Sequence, residues 1–551
     1  MFNDPKTGMK KTINLNRAGK SKKIGALLAV FIMILSFGNV TAFACTGVYI
    51  GKDVSTDGST ILARSNDTQG VFSTYLDIKE RVENSPGRSL PVGINQKVWA
   101  PLPSTTYRYT ATPLMDAGAA VSEFNRDVAA VSNEYGVIMT MSVTAFSNKD
   151  AMKADPWVED GISEDTATEL VICQSKTAKE AVDVLTSLID KYGSAETNIA
   201  LIADQTEAWY VEMYNGHQYA AVKLPDDQVS VFGNEFSLEY LSDYEESVTS
   251  KDLISLAEKN NFAVYGKNHE VNLYKTYAGS TTLADYSHMR TWIGHQLLSS
   301  EYSDNYDHDA SYPLCFKPDN KVSLEDVFSV MRNRYEGTEF SPDETGRTDM
   351  RVIGTDTSIS VHVLQVFPEL PANMSCVTWE CLGPAPYGVF VPMSNASKTV
   401  SRSYGRKQSV SDKKVFDDVH YPYYTYKEIN TLCVEKSTYE TYGKPVRHYW
   451  EMAEKGMVKG MSDVLTEASE MKDADKAAAH LTDYCNDMQE QAFEDARNIL
   501  NDIKWYMSFN SNTMKNGRNP ETDEVYDSLA PVDPLDLSED LYLNIDAYNR
   551  R

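Results

Sequence analysis

Cys45 follows Ala42-Phe43-Ala44, the small-x-small pattern that signal peptidase reads, and cleavage there would leave a thiol and a free α-amine on one residue. An α-amine has a reference pKa near ~7.7–8.0, so it can take the proton of its own side chain, and no histidine is required. The chain holds nine histidines, and none lies in a context that marks a cysteine–histidine dyad. Such a thiol must still be made a thiolate, and its amine must be held in place. A cation beside the sulfur does the first; a carboxylate beside the amine does the second. Arg64 and Asp67 are the nearest residues of these types on the chain that returns toward Cys45. An isolated Arg-x-x-Asp is ordinarily a surface ion pair, and the neighbouring cysteine is what gives this one weight.

The segment before Cys45 has the order of an export leader. Basic residues (Lys10, Lys11, Arg17, Lys20, Lys22, Lys23) precede an apolar run from Ile24 to Leu35. That run is too short to span a bilayer, which takes ~20 residues. Residues 1–44 therefore read as a removable signal peptide. The protein is expected to be exported, secreted or associated with the cell envelope, with signal peptidase as its maturation partner and no membrane span after cleavage. A lipoprotein signal would place Leu or a similar aliphatic third before the cysteine, where Ala42 stands with Phe43 behind it. A non-catalytic surface protein with lipid or a disulfide on Cys45 is the rival reading.

The formal net charge is −27, and loss of residues 1–44 makes it more negative, because that segment carries seven basic side chains and one acidic. This excludes partners bound through phosphate, namely nucleic acid and anionic membrane surfaces. With 42% hydrophobic and 11% aromatic residues there is material for a large core. Seven cysteines are too sparse for a disulfide scaffold, and none shows Cys-x-x-Cys metal spacing. The six besides Cys45 permit bridges without requiring them. No cofactor or metal is called for, and association into a homo-oligomer is left open.

The elements that must position these residues begin at Cys45. Cys45 to Gly51 reads as a strand, Asp57-Gly58 as a turn, and Ser59 to Ala63 as a second strand, delivering Arg64-Ser65-Asn66-Asp67 to where the first began. Further strands are predicted over Val128–Asn133, Val137–Val143, Asn198–Ala203, Ala208–Tyr214 and Gln218–Leu224. Helices are predicted over Thr166–Gln174 and Thr177–Tyr192. The latter has a Thr177/Glu180 capping box, an apolar stripe (Ala181, Val184, Leu185, Leu188, Ile189) and Gly193 as its stop. Ser394 to Lys414, rich in Ser, Lys and Arg, reads as a solvated loop or linker rather than a binding patch. A mostly helical region follows, with a long amphipathic helix over Ala474–Met507. From Asn516 onward, accumulating Gly, Pro and Asp argue against an ordered element.

Several segments in order resemble one family. They are Cys45-Thr46, the run from Asp57 through Arg64-Ser65-Asn66-Asp67, Asn133-Glu134-Tyr135-Gly136-Val137, Glu207 to Glu212, Leu224-Pro225-Asp226-Asp227, Gly233-Asn234, Tyr286 to Trp292, and Trp379 to Pro392. Together they are similar to the N-terminal-nucleophile hydrolases and, within them, the cysteine dipeptidases related to secernin. The resemblance implies an α+β fold, a four-layer αββα sandwich over residues 45–400 with a mainly helical C-terminal region, 401–551, completing or covering it. It implies Cys45 as nucleophile, Arg64 beside the sulfur, Asp67 near the amine, Asn234 as side-chain oxyanion donor and Arg290 as a supporting cation. A second oxyanion donor is expected from the backbone between Thr140 and Val143. The implied substrates are dipeptides, with acyl-amino acids or bile salts as the alternative within the same superfamily.

Overall fold

The computed structural model describes residues 45–68, 73–93, 95–114, 126–141, 143–279, 285–407, 416–510, 535–537 and 543–549; the expected leader, residues 1–44, lies outside them. The first half of the chain is mainly strands: β1 (Gly47–Ile50), β2 (Thr60–Asp67), β3 (Asp77–Lys79), β4 (Tyr109–Leu114), β5 (Arg126–Asn133) and β6 (Ile138–Met141). Two helices, α1 (Ala167–Ile172) and α2 (Ala178–Tyr192), lead to β7 (Asn198–Ala203), β8 (Ala208–Met213), β9 (Tyr219–Lys223), β10 (Val229–Phe232) and β11 (Ser247–Thr249). Helices α3 (Asp285–Leu298) and α4 (Leu324–Arg332) precede β12 (Ser358–Val366), β13 (Cys376–Leu382) and β14 (Val391–Ser394). Helices α5 (Pro422–Cys433), α6 (Lys444–Glu470) and α7 (Ala474–Asn510) follow.

These strands form two antiparallel sheets. One is six-stranded, in the order β10-β1-β2-β12-β13-β14, and the other eight-stranded, in the order β11-β9-β8-β7-β6-β5-β4-β3. Side chains alternate across a strand, and the apolar ones here fall into separate clusters accordingly. Val48 and Ile50 of β1, with Ile61 and Ala63 of β2, join Met289, Phe328, Trp450 and Ile499 from α3, α4, α6 and α7. Tyr49 and Leu62, pointing the other way, join Ile138, Leu201 and Tyr210 of the second sheet. On that sheet's far face, Ala200, Ile202, Trp209 and Val211 pack with Leu170 of α1 and Leu185 and Ile189 of α2.

Helix α2 starts where its cap predicts: Thr177 Oγ1 accepts from Glu180 N–H at 3.1 Å. The Glu180 carboxylate reaches back one residue further than a capping box requires, to Lys176 N–H at 2.8 Å. Gly193 closes the helix with φ +71°, a conformation that favours glycine.

Two expectations are corrected. The stretch after Met393 is a loop as far as Lys407, but only partly solvated: Lys398, Thr399 and Arg402 are exposed, whereas Ser394, Asn395, Ser397 and Ser401 are buried. Asn395 Nδ2 donates to Asn133 O at 2.9 Å, and Lys398 N–H and Ser401 N–H donate to Thr482 and Gln489 of α7. Low apolar content misled here, because these polar groups are buried with partners. Residues 408–414 of that prediction lie outside the described residues. The tail also contains an ordered turn, Ile545–Tyr548, whose Tyr548 is buried and donates to Asp495 at 2.7 Å. All seven cysteines are free thiols.

Candidate active site

Cys45 precedes β1, and the antiparallel register decides what surrounds it. Gly47 pairs with Arg64 on one side and with Phe232 on the other. Continuing the second register by two residues brings Asn234 opposite Cys45. Along β2, Arg64 and Asp67 are three residues apart, so their side chains leave opposite faces of the strand. The Arg-x-x-Asp spacing thus lets one strand approach the cysteine from both faces.

Arg64 is buried and turned toward the second sheet, where Nη1 donates to Met141 O at 2.5 Å and Ala129 O at 3.5 Å. Its Nη2 donates to Cys45 Sγ at 3.5 Å. Burial pushes the Cys45 thiol up, the Arg64 guanidinium opposes it, the Asp67 carboxylate adds to it, and the Asp67 N–H opposes again. The net direction is upward, so the thiol form is favoured while Cys45 is joined to Ala44.

Asn234 and Arg290 complete the grip. Cys45 N–H donates to Asn234 Oδ1 at 2.8 Å, and Asn234 Nδ2 donates to Thr144 O at 2.7 Å. Arg290, fully buried on α3, donates from Nη2 to the same Oδ1 at 2.8 Å. Its Nη1 donates to Cys45 O at 2.6 Å and Thr46 Oγ1 at 3.0 Å, and its Nε to Tyr286 O at 2.7 Å. Thr46 N–H is taken by Ser65 Oγ at 3.0 Å.

The four other sequence-derived residues gather around Cys45, but their contacts divide differently from the expectation. The Cys45 nitrogen goes to Asn234, whereas the Asp67 carboxylate accepts from Ser358 Oγ at 2.6 Å and Ser65 Oγ at 3.2 Å and pairs with Arg351 at 3.2 Å. Arg351, Ser358, Ser65 and Thr46 are site neighbours to which the sequence reading gave no role. Ser65 and Thr46 lay inside the quoted segments, while nothing local marks Arg351. Of the expected backbone donors between Thr140 and Val143, Ser142 lies outside the described residues.

One histidine stands close by. His362 of β12 pairs in register with Arg64, and its Nε2 is hydrogen-bonded with Thr140 Oγ1 at 2.7 Å. Burial first, then the Arg64 charge, pushes its pKa well down, so it is neutral and directed away from a Cys–His dyad.

A buried thiol flanked by one guanidinium, with its own backbone nitrogen and carbonyl held by an amide and a second guanidinium, is the site of a cysteine hydrolase. The chain belongs to peptidase family C69, whose model matches residues 44–452. Its relatives include a protein named probable dipeptidase B from Streptococcus pyogenes serotype M1, 30% identical over 75% of this chain and 82% of that protein. Another of the same name, from Lactococcus lactis subsp. lactis (strain IL1403), is 31% identical over 66% and 76%. A dipeptidase from Bifidobacterium longum (strain NCC 2705) is 30% identical over 63% and 70%. Among solved structures, a mutant of conjugated bile acid hydrolase from Clostridium perfringens aligns with 64% of this chain and 92% of its own, at 11% identity and a TM-score of 0.28.

Proposed function

We propose that this protein is an exported cysteine dipeptidase that hydrolyses dipeptide amide bonds through Cys45, made N-terminal by signal peptidase. The observation that carries the reading is the double hold on Cys45: Arg64 on its sulfur, Asn234 on its nitrogen. With residue 44 attached, that nitrogen is an amide and cannot act as a base. Cleavage turns it into an amine already lodged against Asn234 Oδ1.

In the mature enzyme the amine takes the thiol proton, and the thiolate of Cys45 attacks the scissile carbonyl carbon. Negative charge develops on the carbonyl oxygen. Asn234 Nδ2 has two hydrogens, of which one goes to Thr144 O. The second is the oxyanion donor, a contribution of roughly 2.7–4 kcal/mol in comparable sites. The ammonium passes its proton to the leaving amine, giving a thioester and a free amino acid. The amine then takes a proton from water, whose oxygen attacks the thioester; the second amino acid leaves and the proton returns to Cys45 sulfur. The two sheets, with α1 and α2 on one and α3 to α7 on the other, support a four-layer αββα reading of the fold.

The test is a panel of dipeptides, tripeptides and acyl-amino acids offered to purified protein beginning at Cys45. Dipeptides should be cleaved fastest, and Cys45→Ala should abolish turnover while leaving a folded protein. Preference for acyl-amino acids, or turnover retained without the thiol, overturns the proposal.

A further inference from the structure

Two guanidinium groups, Arg64 and Arg290, contact Cys45, and a third, Arg351, pairs with the neighbouring Asp67; they differ in one respect. Arg64 and Arg290 are buried, with 1% and 0% of their surface exposed, and are bound to backbone carbonyls and to Cys45 itself. Arg351 keeps 20% of its side chain exposed. It is anchored from behind, since the buried Tyr335 hydroxyl donates to its backbone carbonyl at 2.5 Å. Its Nη2 lies 3.2 Å from Asp67 Oδ2, that same oxygen accepts from Ser65 Oγ at 3.2 Å, and Ser65 Oγ accepts the N–H of Thr46, the residue after Cys45, at 3.0 Å. Three linked contacts therefore join this guanidinium to the residue that follows the nucleophile. In a chain of formal charge −27, a cation reaching solvent beside the reactive thiol runs against the general surface.

A dipeptide sets a geometric demand that matches this position. The carboxylate carbon of the leaving residue is three bonds from the attacked carbonyl carbon, at most about 4 Å away. A cation that recognises it must stand just beyond the sulfur, where a buried group could not reach. Arginine suits the task, because its fork matches a carboxylate bidentately.

We propose that Arg351 binds the free C-terminal carboxylate of the substrate and so sets the preference for dipeptides. This rests on the dipeptidase reading, and the two can fail separately. The experiment compares kcat/KM for a dipeptide and for the same dipeptide with its C-terminus amidated, on wild-type protein and on Arg351→Met and Arg351→Lys. Wild type should favour the free acid by about 10–10²-fold, as expected for losing a hydrogen bond to a charged group. Arg351→Met should bring that ratio close to one, with Arg351→Lys between. Because the ratio is taken within each protein, a general loss from disturbing Asp67 cancels. Equal cleavage of both substrates by wild type overturns the assignment and leaves the dipeptidase reading standing; this arm needs no variant. An unchanged ratio in Arg351→Met also overturns it. Cleavage of neither substrate by wild type removes both.

Discussion

At the residue scale the competition is over the charge on one sulfur. Burial acts against the Cys45 thiolate, and Arg64 and the Asp67 N–H act for it. Removing Arg64 therefore disfavours the charged form, and the thiol titrates at higher pH. Arg64→Met should move the acidic limb of the kcat/KM profile up by about 1–3 pH units, the usual effect of an opposite charge at this range. Thiol alkylation rates against pH give the same shift without substrate. A limb that stays in place would mean the guanidinium serves only the carbonyls of Met141 and Ala129. Cys45, Arg64 and Asp67 were legible because a hairpin makes near neighbours in sequence into neighbours in space. The hydrogen bond from Cys45 nitrogen to Asn234 joins positions 189 residues apart, and only the family resemblance pointed there.

At the scale of elements, the loop carrying Asn234 is clamped to α3. Gly233 N–H donates to Thr291 Oγ1 at 3.1 Å, and the backbone there runs so close that a Cβ on Gly233 would lie 2.6 Å from Ser287 O. Glu235 accepts from Thr291 Oγ1 and lies 3.3 Å from His288 Nδ1, both buried. Burial works against the imidazolium of His288, and the hydrogen bond and charge of Glu235 outweigh it, so its pKa is raised above the ordinary 6.5. A group with a raised folded pKa contributes stability that is complete below its unfolded value and disappears as pH climbs through the folded one. Melting temperature should accordingly fall as pH rises above about 6.5, and Glu235→Gln should flatten that dependence. A slope unaltered by the substitution would break the link between the pair and the clamp.

For the whole molecule, the C-terminal helices form part of the core. Trp450 of α6 and Ile499 of α7 are buried in one cluster with strand residues Val363 and Trp379. At its centre, Arg332 of α4 donates to Ala385 O, Gly388 O and the Glu454 carboxylate of α6, which also accepts Phe390 N–H at 2.9 Å. Both side chains of this ion pair are at most 4% exposed. Removing one charge of a buried pair strands the other, at about 3–5 kcal/mol. Glu454→Gln should show that loss in urea unfolding, and a loss below about 1 kcal/mol would mean water reaches the pair.

Local pattern determined much of this protein. Period-two strands, the Thr177 cap, the apolar stripe of α7 and the place of Cys45 beside Arg64 all follow from residues close together in the chain. The burial of Ser394, Asn395, Ser397 and Ser401, the turn at Ile545–Tyr548 and the arrival of Arg351 at Asp67 were decided by tertiary structure. A polar residue looks the same in sequence whether water or a distant backbone group satisfies it, and only the folded chain supplies that partner.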